Sequence, residues 1–153
     1  MAVQQNHALI TSAAGIALIK KYEGLRLKRY TDSAGYPTIG YGHKLLAGEH
    51  MAEISIEQAE RLLARDLIAA EDAVRHLAMV PLSSNQFSAL VCFVFNLGRG
   101  YLAKSTLLRL LNEGNFDQAA QEFDKWVFAG GKRVNGLVKR REAEKQLFLT
   151  KET

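Results

Sequence analysis

Glu23, Asp32 and Thr38 stand in one short stretch, YEGLRLKRYTDSAGYPTIGYGH (Tyr22 to His43), at offsets of nine and six residues. Most other acids of the chain fall on predicted helical faces, whereas these two carboxylates flank a segment rich in glycine, tyrosine and threonine. Two carboxylates in unlike surroundings can divide acid and base work. Apolar neighbours keep one protonated, while an open, polar setting leaves the other ionised. Cleavage of a glycosidic bond needs such a pair: one group protonates the departing oxygen, and the other activates water or attacks the sugar carbon. A hydroxyl on Thr38 can hold a water beside Asp32. Spacing by itself leaves a second reading open, because aspartate in a turn and glutamate at a helix end are both ordinary.

Those side chains need elements to carry them. Thr11 or Ser12 caps a first helix running to about Glu23, and Gly24 stops it. Residues 25–46 alternate roughly, pass through the turn residues SAGYP and end in the β-prone TIGYGH, which predicts a small hairpin or a three-stranded sheet. The helix end and the hairpin would then bring Glu23 and Asp32 to a common groove. Ser55 with Gln58 forms a capping box, and Ile56, Ala59, Leu62, Leu63, Leu67 and Val74 recur at helical spacing. A long helix over about 56–78 follows, and Pro81 ends it. Ser83 or Ser84 opens NQFSALVCFVFNLG, apolar on most sides and therefore a buried central helix, which Gly98 and Gly100 close. Ser105 opens TLLRLLNEG, Asn115 caps FDQAAQEFDKWV, AGGKRV reads as a mobile loop, and NGLVKRREAEKQLF is the last helix. The fold class is α+β and mainly helical. A small β lobe (about 25–55) is joined by the inter-lobe helix (about 56–78) to a helical lobe of residues 79–153 plus the first helix, 11–23. Residues 1–10 read as a loose leader outside a single domain of 11–153.

With 153 residues, 48% of them hydrophobic, the chain can build one core. The formal charge of +4 suits an anionic partner without choosing among nucleic acid, a membrane surface and an acidic polymer. Cys92 is the only cysteine and sits among apolar residues, so no intrachain disulfide can form and a buried, inert thiol is expected. The four histidines are scattered without zinc-ligand spacing, and no P-loop or dinucleotide fingerprint occurs, so neither a metal nor a cofactor is expected. The apolar run from Ala8 to Ile19 is interrupted by Thr11, Ser12 and Gly15, and is shorter than the ~20 residues of a spanning helix. Lacking a basic region before it, it reads as an amphipathic helix rather than a signal peptide, with a weak, releasable membrane anchor as the alternative.

The stretch from Tyr22 to His43 closely resembles the catalytic segment of phage-type lysozymes, the endolysin muramidases of glycoside hydrolase family 24. Their pattern is Glu, eight residues, Asp, five residues, Thr, and Glu23, Asp32 and Thr38 fit both gaps. The resemblance continues through ISIEQAERLLARDL, SNQFSALVCFVFNLG and FDKWVFAGGKRVNGLVKRREAE, leaving out only residues 1–10 and the last few. It implies a lysozyme-like fold, with Glu23 as general acid, Asp32 as the group that positions or activates water, and Thr38 as the residue that orients it. It further implies that His43 is structural and pairs with Asp66 on the inter-lobe helix, and that Phe95 and Asn96 line the cleft between the lobes. Lys44 departs from the family, which has an apolar residue near the substrate there. In Lys139-Arg140-Arg141 two readings stand: a solvated helix face pairing with Glu142 and Glu144, or one arginine, Arg140 or Arg141, that reaches Glu23.

The implied activity is hydrolysis of the β-1,4 bond between N-acetylmuramic acid and N-acetylglucosamine in peptidoglycan, by inversion and without cofactor, for host cell lysis. The implied setting is a monomer held in the host cytoplasm until a phage holin opens the membrane, then acting in the periplasm. No nucleic acid partner and no stable membrane insertion are expected. Two alternatives belong to other classes: a lytic transglycosylase, which would need no water-holding pair, and an inactive basic binding module on the same scaffold.

Overall fold

The long helix between the lobes is α2, Ile56–Leu77, in the computed structural model, which describes residues 4–151. Its start follows the capping box: the Gln58 N–H donates to Ser55 Oγ at 3.1 Å, and the Ser55 N–H donates to Gln58 Oε1 at 2.8 Å. Ala59, Leu62, Leu63, Leu67, Ala70, Ala73 and Val74 are buried along one face, as their spacing requires.

Before it come α1 (Ala13–Glu23) and a three-stranded antiparallel sheet of β1 (Arg26–Thr31), β2 (Pro37–Gly40) and β3 (His43–Lys44), paired in that order. Ser12 caps α1 through the Gly15 N–H, and Gly24 ends it at φ +72°. The sheet register sets Tyr30 opposite Thr38, and Thr38 opposite Lys44. Between β1 and β2 the chain turns on Asp32, whose Oδ1 accepts from the N–H groups of Ala34 (2.9 Å) and Tyr36 (2.8 Å). An aspartate suits this place because its short side chain satisfies the turn's donors.

The helical lobe is centred on α3 (Ser84–Leu97), buried from Phe87 to Val94 and capped by a second reciprocal box, Ser83 with Gln86. Helix α1 crosses it closely. At Gly15 a Cβ would meet Thr11 Cγ2 at 2.9 Å and Ser88 Cβ at 3.0 Å, so glycine allows the approach. The short helices α4 (Arg99–Ala103), α5 (Thr106–Asn112) and α6 (Phe116–Glu122) follow. The last helix, α7 (Asn135–Leu149), packs along α3. Phe93 meets Phe123 and Trp126 edge to face, at 5.8 and 5.4 Å between ring centroids, joining these elements in one core.

Three details differ from the sequence expectations. The leader is not loose where it is described; residues 1–3 lie outside the described range. Residues Gln4–Ala8 form a 3-10 helix, and Asn6 is fully buried. Asn6 Nδ2 donates to the Val80 carbonyl and the Leu82 N–H donates to Asn6 Oδ1, both at 2.9 Å. Those two backbone groups flank Pro81, so one amide side chain satisfies what the helix break leaves open. Secondly, AGGKRV is a hairpin rather than an open loop: β4 (Phe128–Ala129) pairs with β5 (Lys132–Arg133). Gly130 and Gly131 take the two successive positive φ values (58° and 78°) that a tight hairpin turn demands. Finally, Asn115 holds the N-cap position of α6 without a side-chain bond to the helix.

Candidate active site

Glu23 is the last residue of α1, and its side chain is 19% exposed. Two glycines shape its surroundings. Gly24 lets the chain leave the helix toward β1, and Gly42, at φ +72° in the β2–β3 turn, lies directly against the carboxylate. A Cβ on Gly42 would overlap Glu23 Oε1. The other oxygen, Oε2, accepts from Arg140 Nη1 at 2.8 Å. The end of α1, the sheet and α7 therefore converge on one carboxylate. Of the two candidate arginines, Arg140 is the one that reaches it.

Asp32 lies half-buried beyond the end of β1. Its Oδ1 is used by the turn, and among the described residues Oδ2 takes no hydrogen bond. Thr38 is 2% exposed, and its hydroxyl donates to the Tyr36 carbonyl at 2.9 Å. With its proton committed there, Thr38 Oγ1 is left as an acceptor. Tyr30, missed in the sequence, stands opposite Thr38 under the Arg26 guanidinium, 4.4 Å from the ring centroid. Burial pushes the Tyr30 phenol above its ordinary range; Glu23 adds to the rise, Arg26 opposes it, and Asp32 adds again. Both carboxylates thus lie within electrostatic reach of the Tyr30 phenol.

His43 is buried. Its Nδ1 lies 2.7 Å from Asp66 Oδ2 on α2, and its Nε2 lies 3.1 Å from Glu49 Oε1. Carboxylates occupy both ring nitrogens, so neither is free for proton transfer. Asp66 is the expected partner. Glu49 is not, and nothing in the sequence around it signals the role. Its carboxyl is held below the usual carboxylate value chiefly by the Leu46 N–H at 2.7 Å, then by His43, against the opposing effect of burial, with Arg65 adding to the fall.

A cleft of about 460 Å3 runs between the β lobe and α3, lined in part by Gly42, His43, Lys44, Asp66, Phe95 and Asn96. Glu23, Asp32 and Thr38 are not among its lining residues. Gly42 connects the two, since it lines the cleft on one side and touches Glu23 on the other. Phe95 and Asn96 thus border the cleft, and the Asn96 amide oxygen accepts from Arg141 Nη2. Lys44 is exposed, with its ammonium over the Tyr36 ring, 4.8 Å from the centroid.

The solvated-face reading of the KRR segment fails for Arg140 and Arg141, although Lys139 is exposed and the expected pairing with Glu144 forms. Arg140, Arg141 and Glu144 are 4%, 1% and 0% exposed. Helix α7 turns this face against α3, and acid-to-arginine spacing looks the same on a wet face as on a dry one. Glu144 lies 2.9 Å from Arg141 Nε and 3.5 Å from Arg140 Nε. Burial pushes its carboxyl up to about 7, while Arg141 and then Arg140 pull it down. Burial likewise pushes the Cys92 thiol up to about 12, in keeping with an inert core residue. Among the described residues no group of three or more His, Cys, Asp or Glu is arranged to hold a metal ion.

This arrangement can protonate a leaving group from one carboxylate and hold a water with a second carboxylate and a hydroxyl acceptor. Comparison with known proteins agrees in kind. The sequence model of the family described as Phage lysozyme matches residues 20–144. The chain is 44% identical over 143 residues to the endolysin of Salmonella phage P22, across 91% of this chain and 97% of that protein. It is 51% identical over 144 residues to the endolysin of Bacillus phage B103, across 93% of this chain but 55% of that protein, so it spans about half of that relative's length. Among solved structures, the muramidase domain of SpmX from Asticaccaulis excentricus has a TM-score of 0.85 at 40% identity, over 94% of this chain and 99% of that one. Matched from the end of α1 to α7 and folded alike, the chain belongs to the phage lysozyme family.

Proposed function

We propose that the protein is an N-acetylmuramidase that hydrolyses the β-1,4 bond between N-acetylmuramic acid and N-acetylglucosamine. Glu23 is the general acid and transfers its proton to the departing glycosidic oxygen. Asp32 Oδ2 accepts a proton from the attacking water, whose second hydrogen is held by Thr38 Oγ1, aiming the oxygen lone pair at the sugar carbon. Phe95 and Asn96 border the sugar path, and the Asn96 NH2 group donates to an acetamido or hydroxyl oxygen. The observation that carries the reading is the setting of Glu23, a largely buried carboxylate enclosed by Gly42 and Arg140. Water held opposite the leaving group implies inversion. The first-formed reducing end is therefore expected as the α anomer in proton NMR of early products, and a β anomer would reassign Asp32 as a nucleophile.

Replacing Glu23 by Gln keeps the shape and removes the proton. Clearing of a purified peptidoglycan suspension should fall by at least about a thousandfold, within the range general acid catalysis supplies. Clearing at the parent rate would remove Glu23 from the mechanism. In a lysing cell the enzyme waits as a monomer in the host cytoplasm, is released when a phage holin opens the membrane, and then acts in the periplasm. Among the described residues no helix is long and apolar enough to cross a membrane, which fits release by another protein; fractionation before and after membrane opening tests this order, and a membrane-bound pool before opening would contradict it.

A further inference from the structure

Glu144 lies one turn beyond Arg140 on α7, is fully buried, and has no part in the mechanism above. A carboxylate without solvent is costly unless it is paired. Its partners are two arginines, Arg141 Nε at 2.9 Å and Arg140 Nε at 3.5 Å. Arg140 also holds Glu23, 2.8 Å from its Nη1. The groups thus run in a chain, Glu23–Arg140–Glu144–Arg141, with two charges of each sign, and Asn96 takes the far end of Arg141. An arginine alone beside Glu23 would favour the ionised carboxylate and oppose proton donation. Glu144, on the other side of the same guanidinium, acts in the opposite sense.

We propose that Glu144 is a positioning residue for the reaction: by pairing with Arg140 and Arg141 it fixes Arg140 against Glu23 and offsets the guanidinium charge there, so that Glu23 retains a proton to donate. The inference rests on the reading of Glu23 as general acid. Arg140 pairs with Glu23 directly, and Arg141 and Glu144 from α7 and Tyr30 from β1 lie within electrostatic reach of it. On α3, the side of Glu144 away from solvent, the titratable neighbour is Cys92, which stays neutral across the working range.

The test is the pH dependence of kcat and kcat/KM on solubilised peptidoglycan for the parent, Glu144→Gln and Glu144→Asp. A general acid must be protonated, so activity falls on the alkaline side. Glu144→Gln removes a negative charge and should move that limb to lower pH by about one unit, roughly a tenfold loss at a fixed pH above it. Glu144→Asp keeps the charge and should leave the limb where the parent has it. If Glu144→Gln fails to fold, Glu144→Asp gives the reading: its shorter carboxylate loosens the grip on Arg140, so kcat should fall while the limb stays in place. A folded Glu144→Gln enzyme with lower activity and an unmoved limb, or a Glu144→Asp limb at lower pH, would overturn the inference. Activity surviving in Glu23→Gln would instead overturn the assignment of Glu23, whatever the Glu144 variants do.

Discussion

Gly42 has no Cβ, and one built there would overlap Glu23 Oε1. The carboxylate is the free end of a flexible side chain, so in a Gly42→Ala variant the carboxylate yields and the backbone does not. Stability should then fall by about 1–2 kcal/mol for the left-handed backbone of a non-glycine residue, and further where the displaced carboxylate leaves Arg140. Activity should fall about a hundredfold or more, because a catalytic group displaced by an ångström loses that much. Thermal melts alongside clearing rates check the split, and a variant that melts early while keeping parent activity would refute it. Glu23, Asp32 and Thr38 could be proposed from the sequence because they fall in one short stretch whose pattern resembles the family's catalytic segment; spacing alone left the pair undecided. Glu144 could not be proposed from it. Its distance of three and four residues from the two arginines was visible, but whether that face is wet or dry depends on where α3 lies. Gly42 was visible only as one more glycine of a hairpin, since its neighbour Glu23 comes from another element.

The segment after β3 shows the same limit among elements. Glu49 ties it down by accepting from the Leu46 N–H and facing both His43 and Arg65. A carboxyl held below its ordinary value of 4.5 contributes stability that is present above that pH and is lost as pH falls through the lower folded value. The urea midpoint of Glu49→Gln should therefore lie below the parent's at neutral pH and approach it as the pH drops below about 4.5. A gap that stays constant with pH would show that Glu49 acts by packing alone. Capped helices were readable from sequence, since Ser55 with Gln58 and Ser83 with Gln86 carry their own signals. The 128–133 hairpin was hidden because paired glycines suit an open loop and a tight turn equally. The hold on Asn6 was hidden because its partners flank Pro81, far along the chain.

Across the whole molecule, the α+β plan with its long joining helix followed from periodicity and caps, while the convergence on Glu23 did not. Arg140 stands 117 residues from Glu23 and meets it only because α7 packs back along α3 and α1. Asp32 arrives on the turn after β1, and Gly42 both lines the cleft and lies against Glu23. A water-holding pair opposite an acid belongs to hydrolysis, whereas cleavage without water would need the acid alone. Digestion of purified peptidoglycan in 18O-labelled water, with mass spectrometry of the released glycan ends, tests this most directly. Reducing N-acetylmuramic acid ends carrying the label, absent with Glu23→Gln, are the predicted result; 1,6-anhydro ends without label would contradict it.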